Sequence, residues 1–367
     1  MKVHILGSIG TGWGSYVRNL LDSMSGQVEY TFPRSWLSYW QFQKTGLSGE
    51  ARDSFTLPVS SGLRKIHLVR RSETTEFPKL EIVRAAAADV VHSNCRFLSS
   101  SRPYVLVFDT PWLLTTFRTY SGEPTFGRVG KIIVKHVAMK KCLKILPFSK
   151  IAKKQFIHMT GLRDDEEMID VLPPGVQIPR SVRSMKKRES GDEFRLLFIG
   201  RNFDRKGGPI LLRSFEMLAS EFSNLRLTIK TRTRGIDVPS KIRERVQILD
   251  TELPREELIS MYVNSDLLVL PSLQEAFGLV CIEAMSYGLP VVASNYFALP
   301  EIVDDGVTGS LFETGHSEDL AKKVRVFVRD PGLANDFGAA GLARARKQFS
   351  NEAVNAKLFQ IYEKCGV

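Results

Sequence analysis

Apolar residues along this chain fall into two recurring patterns. Short runs rich in Val, Ile and Leu, each ended by glycine or a polar turn, alternate with longer stretches whose apolar residues recur at helical spacing. "KVHILG" (2–7), "DVVHS" (89–93), "YVLVFD" (104–109) and "KILPFS" (144–149) predict strands of a first unit. "RLLFIG" (195–200), "LRLTIK" (225–230), "VQILD" (246–250), "DLLVLPS" (266–272) and "PVVAS" (290–294) predict strands of a second. Between them "PPGVQIPRSVRSMKKRESGDEF" (173–194) is polar, basic and turn-rich, and reads as a linker. Strand and helix in alternation predict an α/β fold of parallel sheets with crossover helices. Each unit reads as doubly wound, and such sheets bind ligands at the carboxyl ends of their strands. A chain of 367 residues exceeds what one core usually organises, so two domains facing each other across a cleft are expected. The last stretch, "NEAVNAKLFQIYEKCGV", has helical spacing and closes the chain as a helix.

Composition narrows the class. Apolar residues at 43% and charged residues at 25% are those of a soluble globular protein. Four cysteines (Cys95, Cys142, Cys281, Cys365) without a CxxC pair provide neither a zinc site nor a disulfide framework, which fits a reducing, intracellular setting. The apolar run after Met1 is too short for a signal peptide, and no stretch reaches the roughly 18 apolar residues of a membrane span. A cytoplasmic protein is expected. Its net charge of +11 is uneven: residues 1–190 hold 29 Lys and Arg against 16 Asp and Glu, and residues 191–367 hold 22 against 24. That asymmetry fits an acidic partner for the N-terminal half, although solubility alone would also account for it.

Chemistry concentrates in the second unit. In "FIGRNFDRKGG" (198–208), Arg201 and Lys206 flank a turn where a strand end meets a helix N-terminus, a geometry suited to a diphosphate. Ordinary solvated turns also carry such cations. In "EAFGLVCIEAMSYGLPVVAS" (275–294), Glu275 precedes a helix and Glu283 lies about two turns further on. Buried carboxylates need partners, and a carboxylate can accept from both hydroxyls of a sugar or ribose diol. Alone, the pair would be read as a dipole-complementing and a solvent-facing glutamate.

Together, "GRNFDRKG", the Glu-x7-Glu within "PSLQEAFGLVCIEAMSYGLPVVAS" and "PEIVDDGVTGSLFE" (300–313) resemble the donor half of retaining glycosyltransferases of the GT-B fold, most closely glycosyltransferase family 4 (glycosyl transferases group 1). "HILGSIGTGWGSYVRNL", "DVVHSN", "ILPFSKIAKKQF" and "VLPPGV" extend the resemblance over most of the chain. It implies an acceptor domain over 1–178, a donor domain over 190–351, and a closing helix, 352–367, packed back on the first. It further implies that Arg201 and Lys206 neutralise the donor diphosphate, that Glu283 binds the ribose, and that Glu275 holds the transferred sugar. The amides of Phe277, Gly278 and Leu279 would then meet its phosphate, with Gly12 and Gly14 lining the cleft opposite. The implied activity moves a sugar from a nucleoside-diphosphate sugar to an acceptor hydroxyl with retention, in glycan, glycolipid or polysaccharide synthesis. No cofactor beyond that co-substrate is expected.

Departures from the family pattern are specific. Many relatives have His-Asp where this chain has Phe108 and Asp109 in "YVLVFDTPW". The Phe108 carbonyl remains available in principle to stabilise charge at the anomeric carbon, and Asp109 to orient the acceptor hydroxyl. Relatives often carry Gly-Gly before Pro-Glu, where this chain has Phe297 and Ala298. Arg232 and Arg234 in "TIKTRTRG" replace a glycine-rich turn. His92 in "DVVHSN" sits at a strand end, as a contact to acceptor or cleft or as a histidine satisfied within the fold.

No metal site is expected, because no Asp-x-Asp or His/Cys/carboxylate cluster is present. "RVGKIIVKHVAMKKCLKIL" (128–146) predicts a helix with Arg128, Lys131, Lys135, Lys140, Lys141 and Lys144 on a cationic face. Such a face could meet an anionic membrane surface at the inner leaflet or a lipid-linked acceptor, or simply be solvated. Nucleic acid is not expected, since no basic-aromatic module is recognisable. Alternatives of the same fold stay open: a nucleotide-sugar epimerase, a phosphorylase, or a non-catalytic sugar-nucleotide binder. A dinucleotide oxidoreductase is disfavoured, because the first loop lacks GxGxxG in the required context.

Overall fold

The structure, a computed structural model, describes residues 2–6, 29–31, 80–83, 89–95, 97–100, 102–111, 126, 128–163, 167–179 and 192–364. The N-terminal strands are β1 (Lys2–Leu6), β2 (Glu29–Thr31), β3 (Leu80–Val83), β4 (Val90–Asn94), β5 (Phe97–Ser100), β6 (Tyr104–Phe108) and β7 (Cys142–Pro147). Five of them form a parallel sheet in the order β2-β1-β4-β6-β7, and β3 pairs with β5 separately. Every residue of β6 is buried, which explains why it reads as a continuous apolar run rather than an alternating one.

The C-terminal strands are β8 (Phe194–Ile199), β9 (Leu225–Lys230), β10 (Val246–Leu249), β11 (Leu267–Leu270), β12 (Val291–Ser294) and β13 (Gly309–Phe312). Their order, β10-β9-β8-β11-β12-β13 with all pairings parallel, reverses direction between β8 and β11. Strand order turns back there, so a crevice opens between the loops leaving those two strands. The helices are α1 (Arg128–Ile133), α2 (Lys150–Thr160), α3 (Gly208–Glu221), α4 (Arg255–Asn264), α5 (Leu279–Ser286), α6 (Leu299–Ile302), α7 (Ser317–Arg329), α8 (Pro331–Arg344) and α9 (Asn351–Lys364).

All nine expected strands are present within two residues of their expected ends. The helix expected over 128–146 is shorter. After α1 the chain makes a wide π turn (Val134–Ala138) and a tight turn (Met139–Lys141), and then enters β7. Pairing with β6 decides those residues, since Ile145 and Leu146 are wholly buried in the sheet. Lys144 therefore leaves the cationic helix face and donates to the Glu167 carbonyl. Helix α5 begins at Leu279, which puts Glu283 one turn inside it rather than two.

The halves are joined where the chain crosses between them and again at the start of α2. Val176 donates to the Phe349 carbonyl at 2.7 Å, and Asn351 donates to the Val176 carbonyl at 2.9 Å, so the outgoing and returning chain lie side by side. A side chain at Gly175 would meet the Asn351 backbone, so glycine lets them approach. From there α9 runs to the first sheet, where the Tyr362 hydroxyl lies 2.6 Å from His92 Nδ1. One apolar cluster accordingly spans β6, α2, α5, α6 and α9.

The second connection is polar. Glu301 on α6 accepts from the Lys150 and Ile151 amides at 2.8 and 2.9 Å, at the N-terminus of α2, while Ser149 caps the same helix by accepting from Ala152. A carboxylate there satisfies helix amides without a partner in their own helix and complements the dipole. Its own position is set by Arg344, which donates to the Glu301 and Ile302 carbonyls. Glu301→Ala should cost about 1–2 kcal/mol in denaturant unfolding. Glu301→Gln, which keeps one acceptor, should cost less.

Candidate functional site

The loop after β8 and the loop after β11 face each other across the crevice. Its first wall needs glycine for steric reasons. Gly207 has a left-handed φ of 76°, and a Cβ there would overlap the Pro271 carbonyl oxygen at 1.8 Å. A Cβ on Gly208 would overlap the Phe203 ring at 2.2 Å. These bare positions let the loop lie against the end of β11 and carry Lys206 directly onto Glu275.

Lys206 Nζ and Glu275 Oε2 form an ion pair whose side chains are only 12% and 8% exposed. Ser272 Oγ donates to the same carboxylate oxygen at 3.2 Å, and the Ala276 amide donates to Oε1 at 3.1 Å. Ser272 is itself held through its carbonyl by the Ser294 hydroxyl at 2.8 Å. Burial opposes the Glu275 charge, but Lys206, then the nearby Arg205 and the Ala276 amide, outweigh it and hold the carboxyl below its ordinary range. Arg205 also ties the two loops, donating to the Gln274 carbonyl at 2.8 Å while its own carbonyl accepts from Leu273 and Gln274.

Beyond Glu275 the chain turns at Gly278, whose φ of 107° excludes ordinary side chains, and α5 begins. Phe277, Gly278 and Leu279 thus stand at the positive end of that helix. Phe277 is buried, with its ring edge-to-face on Phe148 of the N-terminal unit at 5.7 Å. Glu283, half-buried, accepts from the Tyr262 hydroxyl at 2.9 Å. Burial raises its pKa, opposed by that bond and by the Arg255 charge.

From the other half comes Asp109, immediately after β6, close enough for the Glu275 charge to act on it. Burial pushes the Asp109 carboxyl up, the Thr110 amide (2.7 Å) and its own amide pull it down, and Glu275 pushes it up, leaving it at about 7. Two carboxyls with pKa values driven apart in one cleft are suited to different tasks: Glu275 as a fixed anion, Asp109 as a group that carries a proton near neutral pH.

The expected residues therefore separate. Lys206 and Glu275 pair directly, Asp109 lies near enough for the Glu275 charge to act on it, Phe277, Gly278 and Leu279 stand at the start of α5, and Glu283 lies one turn into that helix against Tyr262. Arg201 is exposed at the end of β8, where its carbonyl accepts from the Arg232 amide and the Thr231 hydroxyl. Phe108 is a correction: its side chain is buried against Phe156 at 5.1 Å, and its carbonyl accepts from the Phe148 amide at 2.9 Å as part of the β6–β7 ladder. His92 is another, being fully buried beneath Tyr362 rather than facing the cleft. Gly12 and Gly14 lie outside the described residues. Arg232 pairs with Glu252, and Arg234 approaches Asp250 at 4.0 Å. Among the described residues, no cluster of three or more His, Cys, Asp or Glu is placed to hold a metal.

Phe297 explains one departure from the family pattern. It adopts a left-handed φ of 49°, the conformation a glycine takes without strain, whereas Ala298 is ordinary helical backbone. Ser272, Arg205, Tyr262, Arg255 and Glu301 were not singled out in the sequence. Only Ser272 had a local signal, three residues ahead of Glu275 in "PSLQE".

Two doubly wound α/β domains facing each other across a cleft, with the site at the strand-order reversal of the second, define the GT-B class. Residues 182–344 match the family described as glycosyl transferases group 1. Among curated relatives, the D-inositol 3-phosphate glycosyltransferase of Corynebacterium jeikeium is 32% identical over 217 residues, covering 53% of this chain and 52% of that one. The capsular polysaccharide biosynthesis glycosyltransferase CapM of Staphylococcus aureus is 26% identical over 247 residues, covering 63% and 64%. The chain spans about half the length of the first curated relatives it matches, 52% and 47%. Solved structures share the fold over 99% of this chain: a glycosyltransferase from Rickettsia africae (TM-score 0.66, 14% identity, 98% of that chain) and Anabaena HepE in complex with UDP-glucose (TM-score 0.64, 16% identity, 100% of that chain).

Asp109 yields a test of the cleft geometry. Its folded pKa lies above the unfolded one, so the stability it contributes is complete below about pH 4 and is lost as pH rises through about 7. Asp109→Asn removes this titration. The Tm of the variant relative to the wild type should climb between about pH 4 and about pH 7 and level off above.

Proposed function

We propose that the protein is a retaining glycosyltransferase that moves a sugar from a nucleoside-diphosphate sugar to an acceptor hydroxyl, in glycan, glycolipid or polysaccharide synthesis. The observation that carries this reading is the buried Lys206–Glu275 pair at the mouth of α5, with Asp109 of the other half near enough for the Glu275 charge to act on it. Lys206, with Arg201 at the rim, would neutralise the diphosphate together with the amides of Phe277, Gly278 and Leu279. Glu275, kept ionised, would accept from hydroxyls of the transferred sugar, and Glu283 from the ribose. The acceptor oxygen would bond to the anomeric carbon on the face from which the diphosphate leaves. The carbon–phosphate oxygen bond would break as the acceptor proton passes to that leaving oxygen. Asp109 would orient the acceptor, and the fixed cations would supply the charge stabilisation without a resident metal.

On this reading residues 1–178 serve the acceptor and 190–351 the donor. Similarity to a D-inositol 3-phosphate glycosyltransferase and to a capsular polysaccharide biosynthesis glycosyltransferase supports a polyhydroxylated acceptor. Exposed Arg128, Lys135, Lys140 and Lys141, with Ile132 52% exposed beside them, support contact with an anionic membrane surface. Among the described residues, no helix is long and apolar enough to cross a membrane. Co-sedimentation with phosphatidylglycerol vesicles, but not with phosphatidylcholine ones, should be lost when those four cations become glutamine.

The donor is found by thermal shift against UDP, GDP and ADP and their sugars, because a ligand of the native state raises Tm. With that donor, Lys206→Ala and Glu283→Ala should each lower transfer at least about a hundredfold while remaining folded. Unchanged turnover in both would remove the assignment. Conversion of the donor without any acceptor would favour an epimerase, phosphate-dependent turnover a phosphorylase, and binding without turnover a non-catalytic binder.

A further inference from the structure

Glu283 does not stand alone. Tyr262, on α4, is 2% exposed and lies parallel on Tyr287, with 5.4 Å between ring centroids and 6° between planes. That stack leaves its hydroxyl one direction, and there it donates to Glu283 Oε2 at 2.9 Å. Arg255, at the first turn of the same helix, acts on the Glu283 charge while donating to Gln177 at 2.9 Å. An aromatic pair deep in the core thus ends in one hydroxyl aimed at the carboxylate that the proposed function places on the ribose.

We infer that Tyr262 is a positioning residue for nucleotide recognition: seated by Tyr287, its hydroxyl fixes the rotation of the Glu283 carboxylate so that the remaining acceptor positions meet the two ribose hydroxyls. This rests on the proposed function and deepens it. The physical case has two parts. A carboxylate on a flexible glutamate stem is free to turn, and a diol needs both acceptors in one plane, so a third donor that pins one oxygen saves ordering entropy on binding. A half-buried carboxylate must also stay ionised to accept twice. Burial drives Glu283 toward its protonated form, whereas the Tyr262 hydroxyl, itself kept protonated by burial, favours the anion.

The test separates positioning from packing by deleting atoms on both sides. Affinities of the wild type, Tyr262→Phe and Glu283→Ala are measured by calorimetry for UDP and 2′,3′-dideoxy-UDP, or for the GDP or ADP pair if thermal shift selects that base. The wild type should prefer the ribonucleotide. Tyr262→Phe should lose about tenfold for the ribonucleotide, the worth of one hydrogen bond to a charged group. It should lose almost nothing for the dideoxy form, and the donor KM should rise by a similar factor with kcat little changed. A variant that merely loosens α4 would weaken both nucleotides alike, and that result, or an undiminished ribose preference in Tyr262→Phe, overturns the inference while the proposed function stands. Tyr287→Leu, which keeps the hydroxyl but removes its seat, should lose part of the same preference and covers the case of a poorly folded Tyr262→Phe. If Glu283→Ala keeps the wild-type ribose preference, or if the wild type binds none of UDP, GDP and ADP, the proposed function fails and this inference with it.

Discussion

A lysine and a glutamate held together out of water, Lys206 on Glu275, set the terms for the C-terminal half. Taking two charges out of water costs several kcal/mol, which only close geometry and further hydrogen bonds offset. Both loops are shaped to supply them. Gly207 and Gly208 carry no side chain because Pro271 and Phe203 already occupy that space. Ser272 and the Ala276 amide fill the other positions around the carboxylate, and Arg205 ties loop to loop. The reversal of strand order between β8 and β11 puts the two loops side by side in the first place. Local glycines, sheet topology and a charged pair thus express one constraint at three scales.

The same economy governs the contact between the halves. Apolar surface from α2, α5, α6 and α9 merges into one cluster, yet the directional contacts at the seam are polar: Glu301 on two amides of α2, and Tyr362 against His92. Apolar packing alone tolerates sliding, whereas a carboxylate bound to two amides accepts one registration. Asp109 and Glu275 belong to different halves, so the packing between the halves also sets how closely the two carboxyls approach.

Much of this was legible in the sequence. Buried parallel strands are nearly unbroken apolar runs, so β6 and β11 could be recognised without their partners. Short strands such as β2 and β13 could not, because three or four residues carry no period of their own, and Gly309 in β13 reads as a turn although it is there to clear the Val291 carbonyl. Glu275, Glu283 and Lys206 stood out only as a set, through the resemblance of their segments to a family pattern, since each alone reads as an ordinary surface charge. Tyr262 did not: it looks like any core tyrosine, and its partner lies 21 residues further on. Phe108 and His92 misled for a related reason, since strand ends near a cleft point alternately toward ligand and core, and only the packing of Phe156 and Tyr362 decides which.

The paired crossings at Val176 and Asn351 have a mechanical consequence. A single tether between two bodies permits translation, twist and swing alike. Two strands bonded edge to edge at one spot behave as a pivot: the halves can swing about Val176 at the cost of contacts remote from it, while sliding would break the Val176 bonds to Phe349 and Asn351 directly. Contacts farthest from that pivot travel most for a given rotation. Any opening between the halves is thus governed by leverage rather than by sliding.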